Sequence, residues 1–225
     1  METGKKLGQH FYDNRYFYLL AATMLQVFLA SFFPDRGNML INQMTFSIFM
    51  LANINFIRYN RRTKFYLVGF AAIGIALAWI PAQSELGQKV FVAERILVML
   101  FLSVIISMII SSIVRSKIVN VNMILGVITI YILFGMVAGE VNQLIYHLDP
   151  HAFNGNLNPE DPANLRYFSF VTMTTLGYGD IVPASQMARA SAVFFSLVGQ
   201  IYLAVVIALI VGKYVSSSDK KERLE

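Results

Sequence analysis

Residues 174–180 read Thr-Thr-Leu-Gly-Tyr-Gly-Asp, and they fall in a short loop between the last two of several long apolar segments. Gly177 and Gly179 favour an irregular backbone in this loop, because glycine adopts left-handed conformations that other residues avoid. In a membrane, irregular backbone is acceptable only where protein or water surrounds it. The heptapeptide therefore predicts a loop enclosed by other parts of an assembly.

The composition of the chain indicates a membrane protein. Of its 225 residues, 56% are hydrophobic and only 14% are charged, and the mean hydropathy is +0.58. The apolar residues are gathered into runs of about 20, each long enough to cross roughly 30 Å of hydrocarbon as a helix. The absence of cysteine excludes disulfides and cysteine nucleophiles. These features predict an all-α integral membrane protein.

Six apolar runs predict six transmembrane helices. Polar and helix-breaking residues separate them. The predicted spans cover residues 16–33, 39–57, 65–82, 90–114, 119–147 and 187–214.

Positive charge is concentrated at one side of these spans. Lys and Arg precede the first span, follow the second and fourth, and close the chain. The positive-inside rule then places both termini in the cytoplasm and the 174–180 loop outside. This anchoring accounts for the net charge of +5 without a nucleic-acid partner. The clustered cations are Lys5, Lys6, Arg15, Arg58, Arg61, Arg62, Lys64, Arg115, Lys117, Lys213, Lys220, Lys221 and Arg223.

The segment before the heptapeptide has two parts. Residues 149–160 are rich in proline, glycine, asparagine and aspartate, which predicts an exposed irregular loop. Asp161 can cap a helix whose first residue is Pro162, where the missing N–H costs nothing. A helix over 163–173 would be only about 16 Å long, so it would enter a membrane without crossing it.

Together with this short helix and the apolar helix that follows, residues 172–180 closely resemble the signature of potassium channels. The resemblance implies a selectivity filter, in which successive backbone carbonyls from several chains replace the water around K⁺. One filter per chain implies a homotetramer, with no catalytic residues and no cofactor besides the permeant ion. The filter residues would be Thr175, Leu176, Gly177, Tyr178 and Gly179, with K⁺ at the first four.

The resemblance also implies residues that support the filter. The Tyr178 ring would pack behind it against Tyr167 and Phe168, and Asp180 would bond to the pore helix. In the family an acid sometimes stands at the position of Val171, so the partner of Asp180 is left open. Glu140, late in the fifth span, would brace the pore loop rather than handle ions directly. The predicted supports are Thr174, Asp180, Val171, Tyr167, Phe168 and Glu140.

Gly199 lies in the middle of the sixth span, where related channels often bend. Glycine costs a helix about 1 kcal/mol relative to alanine, so its presence has a reason. A gating hinge and close helix packing are two equal interpretations, because small residues also let membrane helices approach.

The first four helices resemble the sensor domain of voltage-gated channels, but the fourth lacks its row of arginines. Between Arg95 and Arg115 it carries no charge, and steep voltage gating needs several charges per subunit. Ser103, Ser107 and Ser111 instead predict tight helix contact. In the second span Asn42, Gln43, Asn53 and Asn55 predict either helix contacts or a small-ligand pocket.

The sequence thus predicts six transmembrane helices with a re-entrant pore helix and filter between the fifth and sixth, forming a homotetrameric pore in the plasma membrane. Residues 1–117 would form a sensor-like domain, 118–215 the pore domain and 216–225 a cytoplasmic tail. The predicted function is passive, selective K⁺ conduction with little voltage dependence. The alternatives are a less selective cation channel, a secondary transporter, and a non-conducting or regulatory membrane subunit.

Overall fold

A computed structural model of the protein describes residues 14–32, 37–55, 61–80, 84–115, 121–155, 157 and 163–222. Within these residues the chain forms helices and a small two-stranded sheet. The elements are α1 (Arg15–Phe32), α2 (Gly37–Asn55), α3 (Arg61–Ala78), α4 (Glu85–Arg115), α5 (Val121–Leu148), β1 (Phe153–Gly155), α6 (Ala163–Met173), β2 (Ile181–Pro183) and α7 (Gln186–Glu222).

Each predicted span coincides with a helix, and the largest differences lie at two helix ends. Helix α4 begins at Glu85, before the predicted residue 90, because the Ser84 hydroxyl accepts a hydrogen bond from the Gly87 amide at 2.9 Å. Helix α7 runs on to Glu222, past the predicted residue 214 and through most of the predicted tail. The short helix α6 covers Ala163–Met173, as predicted, whereas its predicted cap at Asp161 and Pro162 lies outside the described residues.

Three helices in the described part of the chain are long and apolar enough to cross a membrane. They are α4, α5 and residues Gln186–Val206 of α7. Residues Arg15–Leu29 and Phe65–Ala78 form shorter apolar helices. The chain is therefore an all-helical membrane protein apart from its small sheet.

One apolar core joins the first five helices. Helix α1 packs against α2 and α5, and α4 packs against α3 and α5. The core includes residues on both sides of residue 117, the predicted domain boundary. The first four helices therefore share one core with α5, the outer helix of the predicted pore domain. Members of this core with almost no exposed surface are Leu19, Phe49, Met50, Ala71, Phe101, Leu102, Ile105, Ile109, Ile130 and Leu133.

Helix α6 lies between α5 and α7, and two glycines of α5 let it approach closely. A Cβ atom at Gly135 would overlap the ring of Phe170, and one at Gly139 would lie 3.3 Å from the Cα of Arg166. Small residues four apart allow such approach between membrane helices. Close packing against α5 therefore fixes the position of α6.

The loop predicted to be irregular over 149–160 contains strand β1, which corrects that prediction. Strand β1 pairs antiparallel with β2, and Phe153 lies opposite Pro183. Phe153 is buried against Phe168 of α6, with ring centroids 5.2 Å apart. This apolar contact and the pairing with β2 order a polar segment that would otherwise stay irregular.

Two predictions about polar residues in the first helices had different outcomes. Ser103 and Ser107 are exposed, and their hydroxyls donate to the carbonyls of Met99 and Ser103 in their own helix, so the predicted tight helix contact is wrong for them within one chain. Gln43 donates its side-chain amide to the Ala78 carbonyl of α3 at 2.9 Å, which confirms a helix contact there.

Candidate functional site

The heptapeptide adopts the alternating backbone that its glycines predict. Thr175, Gly177 and Gly179 have positive φ angles of 60°, 58° and 81°. Positive φ is common for glycine but rare for other residues, so Thr175 is the strained member of the series. Alternating left-handed and ordinary conformations turn successive carbonyls towards the same side of the chain.

The amides of this segment point back to the end of α6. The Val171 carbonyl accepts hydrogen bonds from the amides of Leu176 at 2.9 Å and Gly177 at 3.4 Å. Among the described residues, none donates a hydrogen bond to the carbonyls of residues 175–178. One side of the segment is thus anchored, and the other presents a row of oxygens that can bind a cation.

Val171 therefore contributes to this site through its backbone. Its side chain is buried and supplies no acid. The partner of Asp180 is instead Tyr167, whose hydroxyl donates to the Asp180 carboxylate at 2.7 Å. This hydrogen bond raises the pKa of Tyr167 to about 12. The phenol therefore remains protonated and keeps donating over the physiological pH range.

Phe168 and Tyr178, two aromatic residues of this region, differ in how far they are buried. Phe168 is buried and packs against Phe153, on the side of the small sheet. Tyr178 is 67% exposed within a single chain. The predicted packing of Tyr178 against Tyr167 and Phe168 stays a prediction for the assembled protein.

The strand pair joins the two ends of the region that contains α6 and the heptapeptide. The amides of Ala184 and Ser185 donate to the Ala152 carbonyl at 2.8 and 3.1 Å. Gly155 lies directly against the Asp180 carbonyl, where a Cβ would collide with it. The chain that leaves the heptapeptide is thus tied to the chain that enters α6.

The carbonyls at the C-terminal end of α6 receive hydrogen bonds from both flanking helices. Ser196 of α7 donates to the Thr172 carbonyl at 3.3 Å, and Tyr131 of α5 donates to the Met173 carbonyl at 3.4 Å. Thr174 returns its hydroxyl to the Phe170 carbonyl at 2.7 Å. Sequence reasoning did not identify Ser196 or Tyr131, although hydroxyls in apolar spans usually bond to a neighbour.

Gly199 is buried where α7 crosses the end of α6. A Cβ atom at this position would lie 2.6 Å from both the carbonyl oxygen and the Cγ of Met173. The close approach gives this glycine a packing role. Its predicted action as a gating hinge stays a prediction.

Part of the chain is similar in sequence to known ion channels. Residues 126–216 match a family model described as "Ion channel". The chain is 34% identical over 79 residues to "Two-pore potassium channel 2" of Arabidopsis thaliana, covering 35% of this chain and 16% of that protein. The chain is thus similar to potassium channels over part of its length. This similarity indicates a channel rather than an enzyme, and we name residues 126–216 the channel domain.

A second relative is similar to this chain over a shorter stretch. The chain is 41% identical over 51 residues to "Two pore potassium channel c" of Oryza sativa subsp. japonica, covering 22% of this chain and 11% of that protein. The chain thus matches only a small part of either relative. No solved structure matches the chain.

Glu140 connects the channel domain to the fourth helix. Its carboxylate lies 2.7 Å from the guanidinium of Arg95, and both side chains are mostly buried. Arg95 also lies over the ring of Phe91, 4.8 Å from the centroid, and 3.9 Å from the carboxylate of Glu94. The partner of Glu140 is thus a residue of α4, and its predicted bracing of the pore loop stays a prediction.

A polar cluster inside the channel domain was not predicted from the sequence. Asn142 of α5 contacts Ser169 of α6 and Ser191 of α7, each at 2.8 Å. All three side chains are buried. The available signal was a carboxamide in the apolar fifth span, since such a group usually bonds to a neighbouring helix.

Proposed function

We propose that this protein is a homotetrameric, K⁺-selective channel whose filter is formed by residues 175–179. The observation that carries the proposal is the alternation of positive φ at Thr175, Gly177 and Gly179, with the amides behind held by the Val171 carbonyl. A dehydrated K⁺ ion needs several oxygen ligands, and rings of such carbonyls supply them. Conduction is passive and needs no reacting group.

The exposed surface of the single chain supports assembly into a tetramer. Residues 174–180 are all exposed in the single chain. The carbonyls of one chain can offer ligands to only one side of an ion. Phe194, Leu197 and Ile201 of α7 are each more than half exposed and apolar. Four copies around one axis would surround the ion with carbonyls and cover this apolar face.

The proposed orientation follows from charge. The channel lies in the plasma membrane with both termini in the cytoplasm. Six helices span the bilayer, and α6 enters it from outside without crossing. The filter then opens to the exterior, with Asp180 and the β1–β2 pair at its outer end. The clustered Lys and Arg described above support this orientation.

We expect weak voltage dependence. The uncharged stretch between Arg95 and Arg115 leaves α4 without the charges that a sensor moves through the field. Arg95 is also paired with Glu140, so its movement would break a buried ion pair. A steep conductance–voltage curve that Arg95→Gln shifts would contradict this expectation.

Purified protein in liposomes tests the proposal. A K⁺ gradient should drive a flux that Ba²⁺ blocks and that an equal Na⁺ gradient does not reproduce. Equal K⁺ and Na⁺ fluxes would indicate a less selective cation channel. Saturable exchange coupled to H⁺ or Na⁺ would indicate a transporter, and no flux under any condition would indicate a non-conducting subunit.

A further inference from the structure

In the buried cluster of Asn142, Ser169 and Ser191, one side chain makes hydrogen bonds to two other helices. Asn142 Nδ2 donates to Ser169 Oγ, and Ser191 Oγ donates to Asn142 Oδ1, both at 2.8 Å. The exposed fractions of the three residues are 2%, 1% and 9%. One amide group thus joins α5, α6 and α7.

The hydrogen bonds of this cluster run in one direction. Ser169 Oγ donates its only proton to the Leu165 carbonyl at 2.7 Å, so it can only accept from Asn142. The amide nitrogen of Asn142 must therefore face Ser169, which leaves the amide oxygen for the Ser191 hydroxyl. The polar groups of the cluster fit one arrangement of the three helices, because rotating any of them would leave a buried group unpaired.

The cluster lies next to the groups that hold the filter. Ser169 is two residues before Val171, whose carbonyl accepts the Leu176 amide. Ser191 and Gly199 are two helical turns apart on α7, and Phe195 between them is also buried. The face of α7 that contacts Asn142 is thus the face that meets the end of α6.

We propose that Asn142 is a positioning residue for the filter. Through Ser169 and Ser191 it fixes the rotation of α6 relative to α7, and thereby the place of the Val171 carbonyl behind Leu176. Apolar packing alone is compatible with small rotations of a helix, whereas directional hydrogen bonds are not. The proposal rests on the proposed channel function for its effect on ions, but its effect on the filter backbone can be measured separately.

Three substitutions separate the hydrogen bonds from the packing. Asn142→Leu keeps a side chain of similar size and removes the amide. Ser191→Val and Ser191→Thr add the same methyl group and differ in the hydroxyl, so Ser191→Thr is the matched control for Ser191→Val. Ser103→Val is a second control, because Ser103 is exposed on α4 and bonds only to its own helix.

Hydrogen–deuterium exchange of the full-length protein in nanodiscs containing K⁺ gives the first readout. We expect the amides of residues 171–177 to exchange about tenfold faster in Asn142→Leu and Ser191→Val, the change that loss of one hydrogen bond produces. Ser191→Thr and Ser103→Val should exchange as the wild type does. Unchanged exchange in residues 171–177, or an equal increase throughout residues 85–115, would overturn the proposal.

The ratio of K⁺ to Na⁺ flux in liposomes gives the second readout. We expect it to fall in Asn142→Leu and Ser191→Val and to be retained in Ser191→Thr. A purely structural cluster would lower the yield of tetramer without changing the ratio in the tetramers that form, and that result would overturn the proposal. A wild-type protein that passes no K⁺ would refute the channel function instead, while the exchange data still decide the role of Asn142.

Discussion

Helices α5 and α7 are both long and apolar, yet they are covered to very different extents. In the most apolar stretch of α5, 56% of the residues are buried, whereas in that of α7 only 11% are. Helix α5 contacts α1, α4, α6 and α7 within one chain. Helix α5 is therefore largely covered within one chain, whereas α7 and residues 174–180 leave exposed surfaces that the proposed tetramer would cover.

This difference predicts two kinds of mutational effect. Changes where α5 packs against α1 and α4 should act on the folding of each subunit and leave the ion preference of surviving channels intact. Changes at the filter or at α7 should act on conduction and assembly and leave the subunit core intact. The predictions below test this division.

Gly177→Ala should have the largest effect and abolish K⁺ flux. A Cβ at Gly177 would meet no atom within 4 Å, so the cost comes from its φ of +58°. Left-handed backbone costs alanine about 1–2 kcal/mol, and the change recurs in every subunit of the proposed tetramer. We expect liposome flux to fall to the level of empty vesicles.

Gly69→Ala is the matched control for that substitution. Its Cβ would also meet open space, but Gly69 lies in α3 without a positive φ. Flux should be retained. Equal loss of flux in both variants would show that the filter backbone is not the sensitive element.

Arg95→Gln should destabilise the subunit by about 3–5 kcal/mol, because it leaves the buried Glu140 carboxylate without its partner. The thermal unfolding midpoint in detergent should fall, and the surviving channels should keep their K⁺ to Na⁺ flux ratio. Lys89→Gln is the control, because it removes an exposed pair with Glu85 that is worth less than about 0.5 kcal/mol. Similar midpoints for both variants would contradict the importance of the buried pair.

Gly199→Ala tests the point where the two regions meet. Its Cβ would lie 2.6 Å from the Met173 carbonyl, so we expect a loss of about 1–3 kcal/mol from overpacking. A hinge without packing constraints predicts the opposite sign, because alanine favours a helix by about 1 kcal/mol over glycine. Thermal unfolding and single-channel recordings distinguish them, with Gly212→Ala, which meets open space, as control.

Tyr167→Phe should have the smallest effect, a modest fall in K⁺ flux, because the positive φ angles at Thr175, Gly177 and Gly179 are left in place. It removes only the hydrogen bond to the Asp180 carboxylate. Because the pKa of Tyr167 is raised to about 12, the contribution of this bond is complete below pH of about 10 and is lost as the pH rises through about 12. The K⁺ flux of the variant should lack this dependence on alkaline pH. The same dependence in the variant and the wild type would show that the Tyr167–Asp180 hydrogen bond is not its cause.

Local features of the channel domain could be predicted from the sequence. The bounds of α6 follow from residue types within a few positions of each other, and the observed helix covers the predicted residues 163–173. The positive φ of Gly177 and Gly179 likewise follows from glycine itself. Such features depend on neighbours along the chain, which the sequence shows directly.

Contacts between distant residues could not be predicted. Arg95 and Glu140 are 45 residues apart, and Asn142 and Ser191 are 49 apart. Each polar residue was visible in an apolar span, but its partner depends on how the helices rotate against each other. Strand β1 was missed for the same reason, because its order comes from pairing with β2 beyond the filter.

The shared core of α1–α5 has a consequence for channels of mixed composition. Because α1 and α4 pack on α5 of their own chain, a disturbance in the first four helices first reaches the outer helix of the same subunit. Tetramers built from altered and normal subunits should therefore respond in graded steps with the number of altered copies. A filter substitution such as Gly177→Ala would instead be dominant in the proposed tetramer, since a single altered copy disturbs the ring of oxygens to which its residue 177 would contribute.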